Sequence, residues 1–220
     1  MDRAKFEKIH ASLEPLPINP SHPLQTGKEE MFHLVNIVEK INPERIMEIG
    51  ILMGGSLKFW EQILPEGGLL IGLDHWRHMR AWDFDESDRQ IEVIYKDSKD
   101  ETAVDDVKKL LDGELLDFLY IDGNHTISYV KNDFERYEPL VRKGGIVAFD
   151  DVYNVEGGPP MTLFPILVRA GDWIVKPDSK ADDYVPKFEE VIHSVEKTPI
   201  IKGKRMLINY GSPVGVWWKE

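Results

Sequence analysis

The sequence predicts an α/β fold: a doubly wound, mostly parallel sheet with helices on both faces and an antiparallel C-terminal edge. Two observations carry that expectation. From Arg45 to Asp151 short apolar runs alternate with helix-like stretches, and the first run opens into a glycine-rich turn, Gly50-Ile51-Leu52-Met53-Gly54-Gly55-Ser56. Apolar runs without polar alternation belong to strands buried on both faces, and the helices between them supply the crossovers that parallel strands require.

In chain order, residues 1–27 hold a short amphipathic stretch and a proline-rich segment, PLPINPSHPLQTG, read as an N-terminal arm or lid ahead of a single domain over residues 28–220. Met31, Leu34, Val35, Val38 and Ile41 recur at helical spacing. Asn42-Pro43 ends that helix, because the residue before a proline is pushed out of the helical region. There follow a strand RIMEIG, a helix GSLKFWEQIL, a strand GLLIGLD, a polar stretch to Arg89 and a strand IEVIYKD. The helix ETAVDDVKKLL, the strand LLDFLYID, the helix TISYVKNDFERYEPLV and the strand GGIVAFDD complete the alternation. Beyond Val152 the rhythm changes to a Gly/Pro loop, an apolar helix MTLFPILVRAG, and the short strands FEEVIHSV, KRMLINY and PVGVWWKE that add antiparallel edges.

A chain of 220 residues suits one domain with a sizeable core. Lys and Arg number 27 against 39 Asp and Glu, a formal charge of -12, and no basic stripe tracks a phosphate backbone, so nucleic acid is not the expected partner. The absence of cysteine excludes disulfides, cysteine-ligated zinc and thiol nucleophiles. The first residues are charged and broken by proline, unlike a secretory leader, and no window approaches the roughly 18 apolar residues of a membrane span. The expectation is a soluble cytoplasmic protein without a membrane partner, compatible with a homodimer or higher homo-oligomer.

In open α/β sheets, ligands bind at the carboxyl ends of the strands where strand order reverses. The first strand ends in Glu48-Ile49-Gly50, and the turn after it carries Gly54 and Ser56, which can bring backbone close to a ligand and cap or donate at the next helix. A dinucleotide fingerprint would read G-x-G-x-x-G here, yet position 52 is Leu, and Glu48 would repel a phosphate and welcome an ammonium. The second strand ends in Asp74, able to accept both ribose hydroxyls; the third ends in Asp97-Ser98, where a carboxylate and a hydroxyl could meet an adenine amino group. Adenosine joined to an amino acid fits this series, hence S-adenosylmethionine. Any one of these acids could instead cap the helix that follows it.

The fourth strand ends at Asp122 and the fifth at Asp150-Asp151. Adjacent strands lie about 4.8 Å apart, so three carboxylates converge on one rim and repel one another unless a cation sits between them. Oxygen ligands favour a hard ion, Mg²⁺ first and Mn²⁺ or Ca²⁺ next, which could hold two substrate oxygens and lower the pKa of a hydroxyl. The alternative is a plain Asp122-Gly123-Asn124 turn with Asp150 or Asp151 as a cap. His125 stands where a general base would reach an acceptor hydroxyl, and Asp122 with His125 is the expected catalytic pair. His75, after Asp74, is expected to touch the cofactor or a lid.

The segments MEIGILMGGS, LIGLDHW and LYIDGNHTISYVKNDFERYEPLVRKGGIVAFDDV resemble the class I S-adenosylmethionine-dependent methyltransferases. Within that class the likeness is to the branch grouping with catechol-type O-methyltransferases and with cephalosporin hydroxylase and macrocin O-methyltransferase-like proteins. It covers roughly residues 28 to 152, and Ile127 stands where the family usually has tyrosine. The resemblance implies a Rossmann-like, seven-stranded sheet. It also implies that Glu48 and Gly50 hold the methionine part of the cofactor, Asp74 the ribose, and Asp97 with Ser98 the adenine. Asp122 would border both cofactor and metal, and Asp122, Asp150 and Asp151 fall where catechol-type enzymes place divalent-metal ligands, Asp151 replacing their asparagine. Gly123-Asn124-His125 stands where those enzymes carry a lysine base.

The implied reaction is one displacement, an acceptor oxygen taking the sulfonium methyl and leaving S-adenosylhomocysteine, with alignment and deprotonation supplied by the protein. A sugar hydroxyl or a catechol-like phenol would present the paired oxygens a metal can chelate. Substrate-shaping residues are expected in the arm from Leu16 to Thr26, the stretch from His75 to Asp88 and the loop from Tyr153 to Met161. Two other readings are a metal-dependent hydroxylase, which would usually need two histidines and a carboxylate around iron, and a module that binds S-adenosylmethionine without turnover.

Overall fold

In the computed structural model the described residues are 1–13, 27–76, 88–150, 205–208 and 214–219. The strands are β1 (Arg45–Ile49), β2 (Leu69–Leu73), β3 (Gln90–Ile94), β4 (Leu116–Ile121), β5 (Val141–Phe149), β6 (Arg205–Ile208) and β7 (Val214–Trp218). They form one sheet in the order β3-β2-β1-β4-β5-β7-β6. β1 to β5 are mutually parallel, and β7 runs antiparallel to both β5 and β6. The predicted parallel sheet with its antiparallel C-terminal edge is therefore present. The expected helix MTLFPILVRAG, the strand FEEVIHSV and the arm from Leu16 to Thr26 lie outside the described residues.

Five helices are described: α1 (Arg3–Ser12), α2 (Lys28–Glu39), α3 (Leu57–Ile63), α4 (Glu101–Leu111) and α5 (Ile127–Tyr137). α2 buries Met31, Leu34, Val35 and Val38, the stripe its spacing predicted, and Asn42 turns the chain out with a left-handed φ of 47° before Pro43. α4 opens under the Asp100 carboxylate, which accepts from the Thr102 amide, and closes on Asp112 in the left-handed region.

Side-chain alternation along the strands sorts the two layers. Phe118 and Tyr120 of β4 share a face with Glu48 of β1, and Trp60 of α3 packs edge-on against both rings at 5.0 and 6.0 Å. Phe149, the register partner of Ile121, points the other way and meets Phe134 of α5 at 5.7 Å. Trp217 closes the same layer against Phe134, and Trp218 is buried, so this terminal pair covers the sheet. α1 joins the α3 layer through Phe6, fully buried and stacked on Phe59 at 4.7 Å.

At the amino end of the strands, Asp117 marks the register shift between β4 and β5. Its buried carboxylate accepts from the Glu44 and Arg45 amides at 2.7 and 2.9 Å and from Arg142 Nε at 2.5 Å. One side chain thereby ties the entry of β1 to β5. Asp117→Ala would strand two backbone donors and an arginine, and should lower stability by about 2–4 kcal/mol in urea unfolding. Ligand affinity at the opposite end of the sheet should stay unchanged.

Candidate cofactor and metal site

At the carboxyl ends of the central strands the ladder extends by one residue on each strand. The Asp74 amide donates to Ile94 O, Gly50 to Leu73 O, Asp122 to Ile49 O and Asp150 to Ile121 O, all at 2.8–3.1 Å. Four site positions predicted from sequence therefore lie in one backbone-bonded row across β2, β1, β4 and β5. The order reverses between β1 and β4, which puts Gly50 and Asp122 on either side of the crevice where such sheets take ligands.

Gly50 is required there by space as well as conformation. Its φ is 89°, and a Cβ would stand 2.1 Å from the Asp122 carbonyl oxygen, so the β1 turn and the β4 end touch backbone to backbone. Gly54 is also left-handed, and its amide closes the turn onto Ile51 O. Leu52 adopts φ 45°, an uncommon state for a side-chain-bearing residue.

Glu48 lies beneath this turn, buried, with both oxygens engaged. Ser56 Oγ donates to one at 2.5 Å and Trp60 Nε1 to the other at 2.6 Å. Ser56 makes no side-chain cap to α3 and acts as a donor to Glu48. Trp60 escaped the sequence reading; its signal was an indole with a donor to satisfy, one helical turn beyond Ser56. Burial, with like charge from Asp122 and Asp74, pushes Glu48 up to about 8 despite both hydrogen bonds.

Asp74 faces the same turn. Its two oxygens accept from the Leu52 and Trp76 amides, each at 2.8 Å, leaving lone pairs for two further donors. His75 is largely exposed beside it, Nδ1 lying 3.7 Å from Asp74 Oδ1. Asp97 accepts from the Lys99 amide at 2.8 Å and from Tyr129 OH at 3.0 Å, and Lys99 sits over the Tyr129 ring. Ser98 is buried; its carbonyl accepts from Tyr137 OH and its side chain bonds to Asp133. Asp133 is fully buried, which raises its pKa, and its Oδ2 has no hydrogen-bond partner among the described residues.

Asp122, His125 and Asp150 converge: one ligand-capable atom from each lies within 4.8 Å of the others. His125 Nε2 is 3.2 Å from Asp122 Oδ1, and Tyr120 OH donates to Asp150 Oδ1 at 2.9 Å. Asp150 is buried, Asp122 nearly so, and His125 is one-third exposed at the lip. Asp151 lies outside the described residues. Two carboxylates and an imidazole suit a hard or borderline divalent cation.

Glu48 makes stability depend on pH in a definite direction. Its folded pKa is raised from an ordinary 4.5 to about 8, so the folded state keeps a proton that the unfolded chain has released. The resulting penalty is absent below 4.5, grows through this window and is complete above about 8. Glu48→Gln keeps an acceptor for Trp60 and cannot ionise. Its stability relative to wild type should therefore rise by up to a few kcal/mol between about pH 5 and pH 9, and a pH-independent difference in urea midpoints would refute the assignment.

Comparison with known proteins places this geometry. Residues 47–152 match a family profile described as a methyltransferase domain. Tapetum-specific methyltransferase 1 of Arabidopsis thaliana is 33% identical over 130 residues, 56% of this chain and 53% of that protein. Mycinamicin VI 2''-O-methyltransferase of Micromonospora griseorubida is 29% identical over 117 residues, 50% of this chain and 27% of that protein. An uncharacterized protein of Acanthamoeba polyphaga mimivirus is 29% identical over 167 residues, 73% of this chain and 71% of its own length. The two named methyltransferases are thus matched over about half their length or less. Among solved structures, the MycE methyltransferase in complex with Mg, SAH and mycinamycin VI superposes with a TM-score of 0.55 at 17% identity, over all of this chain and 55% of that one. An O-methyltransferase from Bacillus cereus in complex with SAH gives 0.50 at 16% identity, over all of this chain and 92% of that one. Residues 47–152, which carry the glycine turn and the row of strand-end acids, are thus similar in sequence to a methyltransferase domain.

Proposed function

We propose that the protein transfers the methyl group of S-adenosylmethionine to a hydroxyl oxygen of a small molecule or sugar, with a divalent cation at the Asp122 rim. The observation that carries this reading is the backbone-bonded row that sets Asp74, Gly50, Asp122 and Asp150 side by side. It offers a ribose acceptor at one end and a carboxylate–imidazole cluster at the other, with the glycine turn between them.

In this reading Asp74 accepts the two ribose hydroxyls through the lone pairs its amide bonds leave. Asp97 and Ser98 border the adenine, with His75 beside the ribose. Gly50, Gly54, Ser56 and the buried Glu48 shape the methionine side. The donor set fits Mg²⁺, Mn²⁺ or Ca²⁺, held by Asp122 and Asp150 with Asp151 as the further candidate. A cation held by these carboxylates would supply Lewis acidity toward an acceptor hydroxyl.

In this reading the His125 imidazole, its Nε2 turned to Asp122, takes the acceptor's proton at the other ring nitrogen. The acceptor oxygen then forms a bond to the methyl carbon, the carbon–sulfur bond breaks, and its electron pair stays on sulfur. Asp122 orients His125 in this scheme and steadies its positive charge once protonated. Complexes of MycE with Mg and SAH support the pairing of cofactor and cation by analogy of fold.

The acceptor class that fits a chelating rim has two neighbouring oxygens, as in a sugar diol or a catechol. The segments at 16–26, 75–88 and 153–161 are the proposed acceptor wall, residues 1–27 being the arm or lid and residues 28–220 the catalytic domain. Among the described residues no helix is long and apolar enough to cross a membrane; cytoplasmic action as a homodimer or higher homo-oligomer completes the reading.

Calorimetric titration with S-adenosylhomocysteine should give micromolar binding, weakened at least about tenfold in Asp74→Ala, the scale of losing hydrogen bonds to a charged acceptor. Full affinity in that variant would remove Asp74 from the site as drawn. His125→Ala should retain cofactor affinity while methyl transfer to diol or catechol acceptors falls by about 10²–10⁴-fold. An unchanged rate would leave deprotonation to another group.

A further inference from the structure

β4 reads Leu-Asp-Phe-Leu-Tyr-Ile, and all six residues are buried. At Tyr120 the packing asks only for a ring. Phe118 on the same face is stacked nearly parallel to it, at 6.2 Å and 16°, and Trp60 meets both rings edge-on. Phenylalanine would fill this layer without a hydroxyl to desolvate, and a buried hydroxyl is costly unless bonded. The hydroxyl is therefore what distinguishes Tyr120 from its neighbour, and it donates to Asp150 Oδ1 at 2.9 Å.

The geometry leaves little freedom at either end of that bond. Tyr120 pairs in register with Glu48 on β1 and Ala148 on β5, so its ring is locked between the two strands that flank it. Asp150 is two residues beyond Ala148, on the same face, with its amide held by Ile121 O. A carboxylate at a strand end ordinarily swivels about χ1 and χ2, and a donor-bearing ring anchored in the core stops the swivel. One acceptor site is used by the phenol, and a carboxylate has about four.

We propose that Tyr120 is a positioning residue for the rim: its phenol holds the Asp150 carboxylate in the orientation that pairs it with Asp122 for a divalent cation. The inference rests on the cation reading given above. Outer partners of metal-binding carboxylates commonly carry 10–100-fold in affinity. The same phenol leaves the ribose side alone, since Asp74 and Asp97 are held by other groups.

The test is titration of the full chain with Mn²⁺, followed by spin resonance of the free ion, alongside calorimetric titration with S-adenosylhomocysteine. Three proteins are compared: wild type, Tyr120→Phe and Phe118→Leu, the last loosening the same aromatic layer without touching the hydroxyl. The expected result is Mn²⁺ affinity reduced about tenfold or more in Tyr120→Phe, near wild type in Phe118→Leu, and S-adenosylhomocysteine affinity unchanged in Tyr120→Phe. Equal Mn²⁺ affinity in wild type and Tyr120→Phe would overturn the positioning role while leaving the cation reading intact. Equal weakening in both variants would assign the effect to packing and overturn it too. If wild type fails to bind Mn²⁺ with or without S-adenosylhomocysteine, the cation reading fails and the role of Tyr120 falls with it.

Discussion

Hydrogen bonds between backbone groups at the carboxyl ends of four parallel strands set the arrangement of everything above them. Each strand donates one amide beyond its last regular residue to the carbonyl of a neighbour, from Asp74 through Gly50 and Asp122 to Asp150. The spacing of the side chains is then the spacing of strands, about 4.8 Å, and it is inherited from the sheet rather than from the loops. Loops are where chains vary and move most; a site whose first atoms belong to the ladder escapes much of that variation. The reversal of strand order between β1 and β4 then separates the two adjoining crossovers and opens the crevice beside the row.

A second layer of order lies just under the row. Glu48, Ser56, Trp60, Tyr120 and Asp150 form two short polar connections embedded in an aromatic layer, one ending below the glycine turn and the other at the rim. Polar atoms in such surroundings are tolerated because each has a partner. The two connections meet where the Trp60 and Tyr120 rings pack edge-on, so the proposed cofactor and cation sides share one aromatic layer.

Much of this was legible in the sequence, and the reason differs by residue. β1, β2, β4 and β5 could be read because strands buried on both faces have unbroken apolar runs, and Asp74, Asp122 and Asp150 could be placed because each is the first acid after such a run. Their adjacency followed from parallel pairing. Trp60, Tyr120, Tyr129 and Asp133 could not be read as site neighbours, since their significance depends on which partner each side chain reaches across 12 to 35 residues of sequence, and periodicity carries no such information. Ser56 shows the same limit at short range: its place at the head of α3 suggested a cap, but the competing acceptor, Glu48 eight residues earlier, took its hydroxyl.

Leu52 adds a consequence of its own. It holds a backbone state that a side-chain-bearing residue seldom occupies, and its amide is fastened to Asp74 at the end of the neighbouring strand β2. The turn is thus shaped while the chain folds, and the loss of freedom is charged to folding before any ligand arrives. A site assembled in advance gives up less entropy on association. In the function proposed above, an adenosine-bearing ligand would meet a turn whose backbone is already fastened, and fit to that contour would add to selectivity.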